Sequence, residues 1–407
     1  MTFAAAPPLS LYVHLPWCVR KCPYCDFNSH AVPAAGLPER AYVEALLDDL
    51  EYASLGCRGR PLVSIFFGGG TPSLFAAASI ERLLARAKQL FAAEAGLEVT
   101  LEANPGTVER GRFAEYRDAG ITRVSLGAQS FDDRCLAALG RIHSRDETLA
   151  AVAELRAAGL DNFNLDLMYA LPEQTADDAL ADLEQALELG PAHISHYQLT
   201  LEPGTAFERR PPRLPDEDEA FAMQVTCQSR LAAAGFEQYE VSAYASGARE
   251  CRHNLNYWRF GDYLGIGAGA HGKLTDPIAG SVTRTTRVRQ PGRYLAARSP
   301  IDRVEETKLL SADDLAFEFC LNALRLVAGF DAELFEARTG LPWSVLSAPL
   351  AAARAKGLVM LGADRKLAPT TLGRQFLNDL QAIFLPADPP PGRSGRLGVL
   401  AMPGTIG

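Results

Sequence analysis

The sequence predicts an α/β protein: a partial barrel of six β/α units, followed by a smaller α+β unit that resembles a winged helix. Three observations carry that expectation. Short apolar runs alternate with helical patterns six times between Leu11 and Leu199, with a period of roughly 30–40 residues, as parallel βαβ arrays do. The residues able to do chemistry fall at or near the ends of those runs, where a barrel gathers its functional groups. Past residue 310 the texture changes to helices and a hairpin.

The elements follow in order. Residues 1–9 read as a tail, and Leu11–Leu15 as a short buried strand. Pro38–Leu55 is helical, with Tyr42, Leu46, Leu47 and Leu50 at helical spacing. Leu62–Phe67 is the second strand and stops at Gly68-Gly69-Gly70-Thr71-Pro72. A helix over Ser79–Phe91 precedes a strand at Glu98–Glu102; a helix from Val108 to Ala119 precedes a strand at Arg123–Leu126. Helices at Glu147–Ala158 and Ala176–Leu189 precede strands at Asn162–Met168 and His193–Leu199. Six such units are too few for a full eight-unit barrel. Asp216–Ala234 reads as a long helix, Glu237–Ala243 as a strand, and Arg252–Lys273 is rich in glycine and aromatics. Helices at Asp313–Val327, Ala332–Thr339 and Trp343–Lys356, a hairpin between Leu358 and Pro369, and a last helix at Thr371–Phe384 complete the second unit.

Composition excludes several function classes. The 407 residues are 48% hydrophobic, ample for a large core and a smaller one. A net charge of −9 argues against a general phosphate-backbone binder, and the presumed third helix of the winged-helix-like unit offers only Arg354 and Lys356. No nucleic-acid partner is expected. There is no apolar run of about 18 residues and no basic, apolar secretory leader, so the expectation is a cytoplasmic protein with reduced thiols.

The chemistry centres on Cys18-Val-Arg-Lys-Cys22-Pro-Tyr-Cys25, a C-x3-C-x2-C spacing on a loop. Three thiolates on one loop hold a soft metal centre, and Arg20 and Lys21 would favour the thiolate form. A structural zinc would want a fourth ligand, but the position that could supply it holds Phe27. An iron–sulfur cubane with one exchangeable iron fits three protein ligands. Cys57, Cys135, Cys227, Cys251 and Cys320 have no metal-like spacing and read as small core hydrophobes or inert surface thiols.

The stretch Leu11-Tyr-Val-His-Leu-Pro-Trp-Cys-Val-Arg-Lys-Cys-Pro-Tyr-Cys-Asp-Phe resembles the opening of the radical S-adenosylmethionine (SAM) proteins. More narrowly, it resembles the branch around oxygen-independent coproporphyrinogen III dehydrogenase, to which a group of haem chaperones also belongs. The resemblance runs from about Leu11 to about Phe384. It implies a radical SAM partial barrel with a [4Fe–4S] cluster on Cys18, Cys22 and Cys25. The open iron of that cluster binds SAM, whose reductive cleavage gives a 5′-deoxyadenosyl radical.

The same resemblance assigns further roles. Gly69, Gly70 and Thr71 match the SAM-binding loop, although a glycine run at a strand end reads equally well as a tight turn. Glu102 ends a buried strand, where ribose hydroxyls or a loop cation would satisfy it. Gln129, Arg141 and Asp166 match other SAM contacts, and Tyr12 and Tyr24 flank the cluster, packing on adenine or shielding the metal. The dehydrogenases carry a fourth Cys two residues after the third and a longer segment before the cluster. Here Phe27 occupies that position and 17 residues precede Cys18, both as in the chaperones. His253-Asn-Leu-Asn-Tyr257-Trp258 matches the chaperones' H-N-x-x-Y-W motif, with His253 as haem ligand and Tyr257 and Trp258 against the porphyrin. The bland alternative is a loop histidine beside core aromatics, and His271 is a second haem candidate.

The resulting expectation is a haem chaperone that binds cluster, SAM and haem and is not an enzyme in the usual sense. The alternative is a dehydrogenase acting on coproporphyrinogen III. The implied partners are a haem-accepting protein, membrane-associated or not, and an electron donor if SAM is cleaved; a homodimer is left open. A membrane-bound acceptor would place the protein peripherally at the inner face of the membrane. The expected organisation is a tail (1–9), the barrel (10–245), an extension carrying the H-N-x-x-Y-W motif (246–305), the winged-helix-like unit (306–385) and a disordered tail (386–407).

Overall fold

A computed structural model describes residues 1–106, 111–362 and 365–386. The predicted start of the third helix at Val108 and nearly all of the expected C-terminal tail lie outside the described residues.

Six parallel strands form the heart of the fold: β1 (Leu9–Leu15), β2 (Pro61–Gly69), β3 (Ala92–Ala103), β4 (Arg123–Gln129), β5 (Phe163–Tyr169) and β6 (His193–Gln198). Helices α1 (Glu39–Ser54), α2 (Ala77–Leu90), α3 (Phe113–Ala119), α4 (Arg145–Ala157) and α5 (Ala176–Glu188) cross between successive strands. Their ends follow local chemistry. Ser144 with Glu147 and Thr175 with Asp178 close capping boxes at the starts of α4 and α5, and Gly120 ends α3 with φ 111°. A further helix, α6 (Glu217–Ala233), begins with the capping box of Asp216 and Glu219.

Alternation along each strand divides the structure into two environments. Leu9, Leu11, Val13 and Leu15 of β1 and Phe163, Leu165, Leu167 and Tyr169 of β5 join the apolar layer shared with the helices. Most residues between them are polar and buried inside the curved sheet, such as Ser10, His14, Asn164 and Asp166. A curved sheet thus encloses polar side chains while its outer face makes the main core.

The sheet runs beyond the six predicted strands. β7 (Asp262–Ile266) pairs parallel with β1, and β8 (His271–Asp276), β9 (Ser281–Arg287) and β10 (Val304–Leu309) continue it antiparallel. At the other edge the predicted strand Glu237–Ala243 is corrected to two short antiparallel pieces, Glu237–Gln238 and Ala243–Ala245. Between them Glu240 turns away to bond Ser242 N–H and the Arg325 guanidinium. The result is a twelve-stranded sheet.

Residues 310–385 pack around a separate apolar cluster that also takes in Phe3, Phe260 and Val282. Its hairpin pairs Val359–Leu361 with Leu367–Pro369. Two predicted helices are broken. Trp343–Leu346 is a 3₁₀ turn before the α-helix Ser347–Ala355, and the last helix divides at Phe376, whose φ −111° and ψ 47° are not helical. No helix among the described residues is long and apolar enough to cross a membrane.

Candidate functional site

The chain leaves β1 at Leu15 and makes a loop that returns at His30. There Trp17–Cys18 pairs with His30–Ala31, a two-residue parallel bridge that the sequence did not predict. Buried polar contacts fix the loop. His14 Nε2 lies 3.0 Å from Asn28 O, and Asn28 Nδ2 donates to Ala268 O and Arg289 O, each at 2.9 Å. Lys21 Nζ donates to Phe27 O at 2.9 Å and Ser29 O at 3.3 Å. Cys18, Cys22 and Cys25 are all half-buried and line one cavity of about 200 Å³.

Burial pushes the Cys18 thiol up to about 11 and raises Cys25 as well, so in the metal-free chain desolvation outweighs the expected help from neighbouring cations. Among the described residues no three His, Cys, Asp or Glu side chains converge on a single ion. A [4Fe–4S] cubane takes each thiolate on a different iron, so its three ligands need not converge on one point. Arg141 Nη1, 3.7 Å from Cys22 Sγ, and Ser29 Oγ, 3.7 Å from Cys25 Sγ, supply polar contacts at the ligands.

Five of the six parallel strands, β2 to β6, contribute residues to this cavity, and the loop after β1 supplies the cysteines. Gly69 ends β2 with Gly70 and Thr71 after it, and Glu102 lies at the end of β3 with Asn104 just past it. Ser125, Gly127 and Gln129 come from β4, Asp166 and Met168 from β5, and Tyr197 to Thr200 with Glu202 from the end of β6. Tyr24 and Arg141 complete the wall.

The glycines do something the sequence did not foretell. Gly69 N–H donates to Glu102 Oε2 at 3.0 Å, Gly70 N–H to Leu15 O at 2.8 Å and Thr71 N–H to Trp17 O at 2.8 Å. These three donors are therefore committed to protein acceptors, and a ligand here would meet carbonyls and side chains. Glycine is needed for close approach: a Cβ on Gly70 would lie 2.6 Å from Trp17 O, and Gly69 has φ 120°.

Two carboxylates face the cavity in a high-energy state. Burial, then the neighbouring Asp166, raises Glu102 to about 8 despite the Gly69 N–H. Burial raises Asp166 to about 6 against hydrogen bonds from Asn164 (2.7 Å) and Ser125 (3.2 Å). Such a pair favours a ligand that brings donors or positive charge. Arg141 Nη2 donates to Asn104 Oδ1 and Gly127 O, and Asn104 Nδ2 to Thr71 Oγ1 at 2.8 Å, joining β2, β3, β4 and the loop. Gln129 holds φ 65°, unusual for a residue with a Cβ. Tyr12 is not in the cavity wall. It is buried against Gly68 with its hydroxyl 3.0 Å from His14 Nδ1.

The H-N-x-x-Y-W motif forms helix α7 (Arg252–Trp258), and the structure does not bring it to the cavity. His253 Nδ1 lies 3.1 Å from Ser64 Oγ, its ring 4.9 Å from that of Phe66, and its N–H donates to Glu98 at 3.3 Å. Asn256 Nδ2 donates to Ser10 Oγ at 2.9 Å. The helix plugs the N-terminal end of the curved sheet, opposite the cavity. His253, Tyr257 and Trp258 are 4%, 7% and 4% exposed. In this conformation these side chains present no open face to a porphyrin. Arg325 covers the Trp258 ring at 4.3 Å, and Tyr257 packs on Tyr263 at 4.8 Å. His271 is half-buried at the start of β8, outside the cavity wall.

Sequence reasoning missed Asn104, His14 and Asn28. Asn104 stands two residues beyond Glu102 at the same strand end, which is a usable signal. His14 and Asn28 act through contacts with residues far along the chain.

Residues 12–186 match the radical SAM superfamily model and residues 310–376 the HemN C-terminal domain. The chain is 49% identical over 384 residues to the heme chaperone HemW of Haemophilus influenzae, covering 93% of this chain and 98% of that protein. It is 48% identical over 381 residues to the heme chaperone HemW of Escherichia coli, with the same coverage. Among solved structures, the coproporphyrinogen III oxidase HemN of E. coli superposes with a TM-score of 0.78 at 22% identity, over 93% of this chain and 90% of that one. This last likeness concerns the fold.

Proposed function

The chain belongs to the radical SAM superfamily and, within it, to the HemW group, and on that premise we propose that it is a haem chaperone. In this reading Cys18, Cys22 and Cys25 hold a [4Fe–4S] cluster, the cavity above them takes SAM, and the protein binds haem and passes it to an acceptor protein. The observation that carries the reading is the near-full-length identity with proteins named heme chaperone HemW. Phe27 supports it, standing in the cavity wall at the position where the dehydrogenases carry a further cysteine.

When bound, the cluster supplies a one-electron centre with an iron open to the amino and carboxylate groups of SAM. The chain's own residues do the rest. Glu102 and Asp166 accept hydrogen bonds from ligand hydroxyls or an amino group. Arg141 holds the strand ends together beside the cluster loop. Tyr24 and Phe27 cover the loop, and the spent N–H groups of residues 70 and 71 keep the start of that loop seated on the end of β2.

The test is a pair of assays on anaerobically reconstituted protein. Titration with haem should give a Soret band, and bound haem should move to an apo-acceptor haem protein. Coproporphyrinogen III with SAM and a reductant should give no protoporphyrinogen IX. Turnover of coproporphyrinogen without haem binding would replace the chaperone reading with the dehydrogenase one.

A further inference from the structure

The two faces of α7 are held in different ways. His253 and Asn256 face the sheet, where Ser64, Glu98 and Ser10 bond them. Tyr257 and Trp258 belong instead to an apolar cluster with Tyr263 of β7 and Leu326, and Leu255 packs against it. Leu326 comes from a turn, residues 324–328, that follows the helix Ala312–Ala323 of the C-terminal unit. That turn covers the cluster. Leu326 bridges Glu240, and Val327 N–H donates to Tyr239 O at 3.0 Å.

Two guanidinium groups stand on this cluster, and each is engaged by one buried carboxylate. Arg325 lies 4.3 Å above the Trp258 ring and donates to Glu240 Oε2 at 3.1 Å. Arg284 of β9 donates to the Tyr263 hydroxyl and, through Nη2 at 2.7 Å, to Glu318 Oε2. The Tyr263 hydroxyl is in turn 3.3 Å from that of Tyr257. The Arg284 and Arg325 side chains keep 15% and 20% of their surface exposed, so both stand at the rim of the cluster and not beneath it. The closure is incomplete: Trp258 Nε1 and Arg325 Nε are buried with no hydrogen-bond partner among the described residues. Unpaired buried donors weaken the covered state, and desolvation offsets much of the attraction in its buried ion pairs. An aromatic and aliphatic surface with two guanidinium groups at its rim is the complement of a flat apolar macrocycle that carries two carboxylates. In the covered state Glu240 and Glu318 occupy the places those carboxylates would take.

We propose that Arg284 and Arg325 bind the two propionates of the haem, and that Glu240 and Glu318 keep the site closed by holding those cations until the cargo arrives. The proposal rests on the haem-chaperone reading. The 324–328 turn lifts in a minor, open state, and the cargo selects that state by taking over both arginines. The burial of the H-N-x-x-Y-W aromatics is then the closed form of the haem site.

The test uses the full-length reconstituted chain with haem, iron-free protoporphyrin IX and protoporphyrin IX dimethyl ester, in which both propionates are capped. Arg325→Gln and Arg284→Gln should each weaken haem and protoporphyrin IX about tenfold and leave the ester within about twofold, because only the free acids pair with the guanidinium groups. Glu240→Gln combined with Glu318→Gln should tighten both free acids and speed their association, because the open state no longer competes with two ion pairs. Iron and sulfide content and the unfolding midpoint report that each variant is folded, and Arg325→Gln alone decides the matter where Arg284→Gln does not fold. Equal losses for acid and ester in the arginine variants, unchanged affinity for the acids in them, or no gain in the glutamate double variant would overturn the site while leaving the chaperone reading standing. Absence of haem binding by the wild-type chain would overturn both.

Discussion

The two ends of the curved sheet use the same residue types to opposite effect. At the N-terminal end, His253, His193, Asn164, Ser10 and Ser64 are buried and bonded to one another, with His193 Nδ1 2.6 Å from Asn164 Oδ1 and Ser10 Oγ 2.8 Å from Ser64 Oγ. Burial drives His253 down to about 3, so it stays neutral and its Nδ1 is matched by a hydroxyl. At the C-terminal end the polar groups face a cavity, and two carboxylates sit above their ordinary range. The lesson is that buried polar groups bonded mainly to one another mark a floor, whereas buried carboxylates with incompletely stabilised charge facing a cavity mark a binding surface.

The largest expected effect is at the mouth. Replacing any of Cys18, Cys22 or Cys25 by Ala should abolish a stable cluster of about four irons, as read by iron and sulfide analysis. Replacing Cys57, Cys135 or Cys227 should leave the iron content unchanged. A full iron complement in all three mouth variants would remove the cluster from this loop.

The next effect is at the floor. Asp262 opens β7, fully buried, and receives Lys273 Nζ at 3.2 Å, Arg60 Nη2 at 2.9 Å and Thr275 Oγ1 at 2.8 Å. Asp262→Ala leaves Lys273 buried beside no anion and should cost about 3–5 kcal/mol of stability, measured by denaturant unfolding. His253→Ala, which strips Ser64 of one of its two partners and Phe66 of one ring neighbour, should cost about 1–3 kcal/mol and leave the iron content intact. If His253→Ala left stability unchanged but abolished haem binding, the motif would belong to haem and not to the floor.

A smaller effect concerns pH. Glu102 titrates near 8 in the free protein, and a ligand whose hydroxyls donate to the carboxylate favours the ionised form. Binding then releases a proton, so SAM affinity should rise with pH, up to about tenfold per unit, and level off above about 8. Glu102→Gln should lose that component of the pH dependence, with SAM's own ionisation remaining in both proteins.

Much of this division was legible in the sequence. The cysteine spacing, the glycine run and Glu102 sit at strand ends, and strand ends can be located from apolar runs alone. What escaped was long-range. The extra parallel partner β7 is separated from β1 by some 250 residues, a pairing no local pattern encodes. The H-N-x-x-Y-W hexapeptide looks like an exposed recognition motif until Ser64 and Glu98, from β2 and β3, close over its histidine. The glycine donors read as available until Leu15, Trp17 and Glu102 are seen to occupy them.

Mouth and floor are separable, and SAM titration by calorimetry into reconstituted wild type, Glu102→Gln and His253→Ala tests that claim most directly. The expected result is a loss of about 1–3 kcal/mol in SAM binding for Glu102→Gln with little change in unfolding midpoint, and a lowered midpoint with near wild-type SAM affinity for His253→Ala. Full SAM affinity in Glu102→Gln together with lost affinity in a folded His253→Ala would contradict the claim and place the ligand at the other end of the sheet.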